Sequence, residues 1–86
     1  MSEKIMAHNV LLFASLKERI GARQISVQAC ETVVLNEFLK TLLVQFPQLE
    51  PFSNNLVVSI NQEFASADQV IYPNDEIALF PPVSGG

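Results

Sequence analysis

The chain is organised around an apolar run, Val10-Leu11-Leu12-Phe13-Ala14, which has the length of a strand and polar residues on both sides. A continuous run without alternation is typical of a strand that is buried on both faces of a sheet. Near the other end of the chain, Ile77-Ala78-Leu79-Phe80 has the same character. The two runs predict a parallel pair of strands at the centre of a mixed sheet.

The residues after the first run predict a short connection and a second strand. Residues 15–20 can form one or two helical turns, and Gly21 stands where a left-handed C-cap is needed. Gln24-Ile25-Ser26-Val27 then alternates polar and apolar residues, as a half-buried strand does. This strand is expected to pair antiparallel with the first.

One main helix is predicted between Thr32 and Pro47. Thr32 is a favourable N-cap, and Pro47 cannot continue a helix. The apolar residues between them follow helical spacing and form one stripe: Leu35, Phe38, Leu39, Leu42 and Phe46. The helix should therefore pack one face on the sheet.

The second half of the chain reads as strands joined by tight turns. Residues 48–55 predict a loop or a single irregular turn, and residues 56–60 predict a strand. Asn61-Gln62 predicts a tight reversal into a short strand at residues 63–65. Residues 72–75 predict a β-turn in which Pro73 and Asn74 take the two central positions. The whole pattern is α+β.

Composition excludes several classes of protein. With 86 residues, 49% of them hydrophobic and 16% charged, the chain fits one folded domain. No apolar stretch approaches the roughly 18 residues of a membrane span, and we expect a cytosolic protein. Five acidic and no basic residues follow Lys40. This half should repel nucleic acids and anionic membranes and attract a basic protein surface.

The reactive side chains do not form a predicted site. One cysteine and one histidine cannot make an internal disulfide or a four-ligand zinc site, so no metal is expected. Cys30 is interpreted as structural or incidental. His8 is interpreted as incidental in a frayed N-terminal segment. Asp75 and Glu76 should point to opposite faces, which favours a solvated turn over an acid-base pair.

The C-terminal tail is the one chemically unusual feature. Pro81-Pro82 cannot continue a strand ladder and favours an extended exit from the sheet. Gly85-Gly86 has no Cβ atoms, so it can enter a narrow cleft and bring the terminal carboxylate to another protein's catalytic groups. A carboxylate becomes a useful electrophile once it is activated, for example as an acyl-adenylate.

Together these segments resemble a known family. The run at Val10, Asn61-Gln62-Glu63, residues 74–80 and above all Phe80-Pro81-Pro82-Val83-Ser84-Gly85-Gly86 are similar to the small, sulfur-carrying subunit of molybdopterin synthase. The resemblance covers residues 9–86. Asn74 stands where the family often has glycine, and asparagine also tolerates a positive φ.

The resemblance implies a ubiquitin-like β-grasp fold, with a mixed sheet of four to five strands packed on one main helix. It implies three segments: a disordered N-terminal extension at residues 1–8, the β-grasp domain at residues 9–80, and a flexible, extended tail at residues 81–86.

The resemblance also implies a function. Gly86 would be adenylated by an ATP-dependent activating enzyme of the E1 type and converted to a thiocarboxylate. Its sulfur would help the large synthase subunit, in a heterotetramer, build the dithiolene of molybdopterin from cyclic pyranopterin monophosphate. Gly85 would give clearance, and Phe80, Pro81, Pro82, Val83 and Ser84 would be held by partners. The chain would bind no cofactor itself and would not be an enzyme on its own.

Three other interpretations stay open. The chain could be a β-grasp sulfur carrier for thiamin synthesis or tRNA thiolation, although such proteins seldom have the Phe-Pro-Pro-Val run. It could be a ubiquitin-like modifier that forms isopeptide bonds. It could also be a plain binding module, for which removal of Gly85-Gly86 would leave the function unchanged.

Overall fold

The computed structural model describes residues 4–82, so Val83, Ser84, Gly85 and Gly86 lie outside the described residues. Along the chain the elements are β1 (Ile5–Leu12), α1 (Ala14–Ile20), β2 (Gln24–Cys30), β3 (Val33–Val34), α2 (Leu35–Gln45), a 3-10 helix (Pro47–Phe52), β4 (Val57–Ile60), β5 (Glu63–Phe64), β6 (Val70–Ile71) and β7 (Ile77–Phe80). A five-stranded sheet has the order β2-β1-β7-β4-β5, and β3 pairs with β6. No helix in the described part of the chain is long and apolar enough to cross a membrane.

The predicted parallel pair lies at the centre of the sheet. β1 and β7 are parallel neighbours, with Val10 opposite Ile77 and Leu12 opposite Leu79. On the two sides of this central pair, β2 pairs antiparallel with β1, and β4 pairs antiparallel with β7. A mixed sheet packed on one main helix, as predicted, is therefore the architecture of the described chain.

The prediction that the first run is buried on both faces is wrong. Val10 and Leu12 are buried, but Leu11 is half-buried and Phe13 is 42% exposed. Ala14 no longer belongs to the strand and begins α1 with a φ of 53°. The buried cluster that includes Phe38 of α2 lies on the Val10 side of β1. The other side of this strand consequently leaves apolar side chains accessible.

The main helix begins later than predicted. Thr32 is not its N-cap; Val34 has that position and makes no side-chain capping bond. Instead, the Leu35 N–H donates to the carbonyl oxygen of Gln69 at 2.8 Å, and the Asn36 N–H donates to that of Ala67 at 2.9 Å. The segment before β6 thus satisfies backbone donors that a capping side chain would otherwise bind.

The apolar stripe of α2 packs as its spacing predicts, but unevenly. Leu35, Phe38 and Leu42 are buried, whereas Leu39 and Phe46 are half-buried. The helix ends at Gln45, and Pro47 begins the 3-10 helix. The predicted loop at residues 48–55 is therefore partly helical, and it contributes the fully buried Leu49 to the core.

The N-terminal prediction is wrong for residues 5–8. They form the first half of β1, with Ile5 opposite Cys30 and His8 opposite Val27. Their pairing partner is the second half of β2, which extends three residues beyond the predicted Val27. Ile5 and Ala7 are exposed, so the backbone ladder rather than an apolar side-chain pattern orders much of this segment.

Local turn chemistry predicted the remaining connections correctly. Gly21 is left-handed, with a φ of 85°, and its N–H donates to the carbonyl oxygen of Lys17 at 2.8 Å. Asn61 and Gln62 have φ values of 54° and 70° between the paired residues of β4 and β5, as a two-residue hairpin turn requires. Asn74 has a φ of 75°. This value is compatible with the second central position of the predicted turn.

Candidate functional site

The base of the C-terminal tail is fixed where β1 and β7 end side by side. Because these strands are parallel, the chain leaves the sheet at the same end after each of them. The Phe13 N–H donates to the carbonyl oxygen of Leu79 at 3.2 Å. The rings of Phe13 and Phe80 are stacked, with centroids 4.7 Å apart and an interplanar angle of 8°. The direction in which the chain enters the tail is therefore set by packing, not by Pro81-Pro82 alone.

One face of the sheet next to this point carries accessible apolar side chains, which we call the open face. A shallow depression of about 380 Å³ lies on it. Phe64 is the most accessible of its aromatic residues, at 81% exposed. The lining residues come from β1, β4, β5 and β7 and from the connections next to them: Leu11, Phe13, Ser59, Gln62, Phe64, Glu76, Ala78 and Phe80. A contiguous exposed apolar patch of this kind is typical of a protein-binding surface.

Charged side chains lie at two sides of the open face. Lys17 and Arg23 line a second depression beside Leu11 and Phe13, close to the base of the tail. At the β4–β5 side, Glu63 and Glu76 are exposed. The negative charge that follows Lys40 in sequence is thus partly presented beside the apolar patch, and the basic side chains of Lys17 and Arg23 lie on its other side.

Asp75 has a structural role in the turn before β7. Its two carboxylate oxygens accept hydrogen bonds from the Asn61 side chain at 2.9 Å and from the Tyr72 N–H at 2.8 Å. The Asn61 side-chain oxygen in turn accepts from the Glu76 N–H at 2.9 Å. These contacts join the hairpin turn to the β6–β7 turn. They favour the interpretation of Asp75 and Glu76 as turn residues over paired catalytic carboxylates.

His8 lies in the core rather than in a frayed segment. It is 3% exposed, its Nε2 is 2.8 Å from the carbonyl oxygen of Cys30, and its ring meets Phe38 edge-on at 5.5 Å. Cys30 is half-buried. Within residues 4–82 there is no group of three or more His, Cys, Asp or Glu side chains arranged to hold a metal ion. The contacts of His8 are those of a packing residue.

The structure brings together only part of the predicted site. Phe80, Pro81 and Pro82 lie at the base of the tail and are half-buried, while Val83, Ser84, Gly85 and Gly86 lie outside the described residues. The sequence reasoning missed Leu11, Phe13 and Phe64. The signal for them is strand parity: if Val10 and Leu12 face the helix, Leu11 and Phe13 must face the other way.

Comparison with known proteins gives the family. The model of the ThiS family matches residues 10–86, which includes the last residue of the tail. The chain is 40% identical over 81 residues to the molybdopterin synthase sulfur carrier subunit of Dictyostelium discoideum, covering 90% of this chain and 93% of that protein.

Solved structures have the same fold. The crystal structure of SAMP1 from Haloferax volcanii matches with a TM-score of 0.78 and 31% identity, covering 94% of this chain and all of the other. In the complex of subunits 1 and 2 of the molybdopterin-converting factor from Helicobacter pylori, the matching chain has a TM-score of 0.65 and 22% identity, with 94% and 100% coverage. The described chain is an α+β, ubiquitin-like β-grasp domain. On the match over residues 10–86, the chain belongs to the ThiS family.

Proposed function

We propose that the chain is the sulfur carrier subunit of a molybdopterin synthase and that the carboxylate of Gly86 carries the sulfur. The observation that supports this most directly is the family match, which runs through the apolar core and the whole Pro-Pro-Val-Ser-Gly-Gly tail to residue 86. The relative from Dictyostelium discoideum has this function by name. The anchored tail base beside an open apolar face suits a protein that presents its terminus to other proteins.

The chemistry requires two steps at the terminal carboxylate. In the first, a carboxylate oxygen of Gly86 attacks the α-phosphorus of ATP, forms an acyl-adenylate and releases pyrophosphate. In the second, hydrosulfide, or an equivalent donor of sulfur at the oxidation level of sulfide, attacks the acyl carbon, and AMP leaves with the electron pair of the broken C–O bond. The product is a thiocarboxylate, which can donate its sulfur to cyclic pyranopterin monophosphate. The activating enzyme and the large synthase subunit supply the catalytic groups.

The geometry of the tail base fits a carrier whose terminus reacts in the active site of another protein. Phe80 is the last residue of β7, and its ring is stacked on Phe13. From Pro82 to Gly86 is four residues, which span at most about 13 Å when extended. A partner on the open face and around the tail base would therefore need its catalytic groups within this reach. The small subunit positions the terminus, and the partner performs the reaction.

We place the large-subunit contact on the open face and the tail base, which together are the surface most suited to a partner. Apolar and aromatic anchors at the centre of an interface commonly account for most of its binding energy. Phe80 joins both parts because its ring lines the open-face depression and its backbone leads into Pro81. In the proposed heterotetramer, each small subunit would make this contact with one large subunit.

Phe80→Ala should weaken binding of the large subunit by roughly 2 kcal/mol or more, which is about 30-fold in Kd. The substitution removes both the stacked ring and the wall of the depression. Calorimetric titration with the purified large subunit measures the loss. Glu37→Ala is the control, because Glu37 is exposed on α2 and its side chain pairs with Lys40 on the helix surface. Equal affinities of the two variants would contradict this placement.

Association with the partner should also depend on salt. Exposed Glu63 and Glu76 beside the open face should steer a basic partner surface, so the association rate should fall roughly tenfold between about 0.02 M and 0.5 M salt. Stopped-flow fluorescence measures this rate. The double variant Glu63→Gln, Glu76→Gln should show a shallower dependence. A rate that does not change with salt would show that these charges do not steer binding.

A second candidate function is protein modification. Two comparisons favour it. The chain matches the structure of SAMP1 from Haloferax volcanii, and a sequence relative from that organism is named small archaeal modifier protein 1. In that case Gly86 would be found in isopeptide bonds with lysine side chains of other proteins. Sulfur supply for thiamin synthesis or tRNA thiolation uses the same carboxylate chemistry. Only the identity of the acceptor distinguishes it.

Intact mass spectrometry tests the proposed function most directly. Protein isolated from cells that make molybdenum cofactor should contain a fraction in which one oxygen atom is replaced by sulfur. Peptide analysis should place this change at Gly86. Addition of the large subunit and cyclic pyranopterin monophosphate should convert that fraction back to the carboxylate. A chain that is never loaded, or that is loaded but not discharged by this pair, would contradict the proposal.

A further inference from the structure

The Gln45 side chain binds the backbone of Gln28 with two hydrogen bonds. The Gln28 N–H donates to Oε1 of Gln45 at 3.0 Å, and Nε2 of Gln45 donates to the carbonyl oxygen of Gln28 at 2.8 Å. Gln45 is the last residue of α2, and Gln28 lies in β2. One side-chain amide thus satisfies both backbone groups of one strand residue.

This is the bonding that a neighbouring strand would provide. In an antiparallel ladder, each residue of a hydrogen-bonded pair donates its N–H to the carbonyl oxygen of the other. β2 is the first strand in the sheet order, so no strand of the described residues lies beside its outer edge. Gln45 therefore takes the place of one residue of an added strand.

Gln24 and Ser26, further along this edge, have no such cover from the part of the chain that the structure describes. Backbone groups alternate in direction along a strand, so those of Gln24 and Ser26 point outward like those of Gln28. Within residues 4–82, no hydrogen bond to the outward backbone groups of Gln24 and Ser26 is observed. An uncovered strand edge of this kind is a template for pairing with another chain.

We propose that the outer edge of β2, residues 24–28, is a docking edge for a second copy of this chain and that Gln45 keeps it closed. An antiparallel β2–β2 pair centred on Ser26 would place Gln24 opposite Gln28 of the second copy. That position is open only when Gln45 releases the backbone of Gln28. The contact is made by the backbone of residues 24–28, none of which lines the depression on the open face.

The charges along the edge suit a second copy. The exposed side chains of Gln24, Ser26 and Gln28 are neutral, so two copies would bring no like charges together along the pair. In the register centred on Ser26, Arg23 lies opposite residue 29 of the second copy, two residues from its Glu31. Such diagonal neighbours on adjacent strands are within reach of long side chains, and opposite charges there are favourable.

Gln45→Ala tests this proposal in the full-length chain. Hydrogen exchange followed by NMR, at a concentration where the variant is monomeric, should show the Gln28 amide exchanging roughly 2- to 10-fold faster than in the wild type. Sedimentation velocity at increasing concentration should show dimers of the variant where the wild type is still monomeric. Gln45→Glu should behave similarly, because its carboxylate cannot donate to the carbonyl oxygen of Gln28.

A second substitution locates the contact. Ser26→Pro, added to Gln45→Ala, removes the outward N–H at the centre of the edge and should return the protein to a monomer, since proline blocks strand addition. Circular dichroism checks that each variant is folded. The proposal would be overturned if Gln45→Ala did not increase dimerisation, if the proline did not reverse it, or if the wild type dimerised through the same edge to the same extent.

Discussion

Phe38→Ala should lower the free energy of unfolding by about 3–5 kcal/mol. Phe38 is fully buried in α2, and its ring also meets the edge of His8. Truncation would remove the largest side chain among the fully buried residues and leave a cavity between the helix and the sheet. Since small domains are stable by only about 5–15 kcal/mol, this loss is a large part of the total. Urea denaturation followed by circular dichroism measures it.

The neighbouring position is the matched control. Leu39 lies in the same predicted apolar stripe, but it is half-buried in the structure. Leu39→Ala should therefore cost about 1–2 kcal/mol, because less apolar surface returns to water. Spacing alone would assign both residues to the core. Equal losses for the two variants would contradict the burial that the structure gives them.

The central strands and the turns could be predicted because their signals are local or strongly apolar. β1 and β7 contain the two longest apolar strand segments, and burial of such runs leaves few alternatives to the middle of a sheet. Gly21, Asn61 and Asn74 each adopt a positive φ that glycine and asparagine accept more readily than other residues. In these places the sequence neighbours alone carry the structural information.

The prediction failed where a distant backbone segment replaces a local signal. Thr32 has the chemistry of an N-cap, but the donors at the start of α2 bind the segment before β6, more than thirty residues away. Val33–Val34 and Val70–Ile71 are too short to be recognised as strands before they are paired. Residues 5–8 became the start of β1 through their ladder with β2. Long-range pairing of this kind leaves no periodic pattern of apolar residues from which it could be predicted.

The candidate site could be predicted only in part for a related reason. The terminal sequence indicated Phe80, Pro81 and Pro82, and the structure places them at the end of β7 and directly after it. The apolar run at residues 10–14 was assigned to a strand buried on both faces. Only when α2 is seen to cover one face does the accessibility of Leu11 and Phe13 follow, and with it the open face. Which side of a sheet is covered is a tertiary property.

Deletion of Gly86, or addition of one alanine after it, should abolish sulfur loading while leaving the fold intact. In the described residues, the hydrophobic core cluster runs from Val10 to Leu79, well before the tail. A change at residue 86 should therefore alter the free energy of unfolding by no more than about 0.5 kcal/mol. Thermal unfolding of both variants, with Glu37→Ala as a surface control, should coincide with that of the wild type.

The chemistry should be far more sensitive, because the reacting carboxylate must reach one depth in a partner's cleft. A displacement of about 1 Å can reduce a rate by roughly 100-fold, and one residue of extended chain is about 3.3 Å. Incubated with activating enzyme, ATP and a sulfur donor, both variants should fail to exchange oxygen for sulfur and should not support molybdopterin formation, whereas Glu37→Ala should do both. The tail base at Phe80 would still bind the large subunit, so retained binding with lost loading would separate docking from chemistry. Loading of either variant at the wild-type rate would show that Gly86 is not the carrier, and the binding-module interpretation would then replace the sulfur-transfer one.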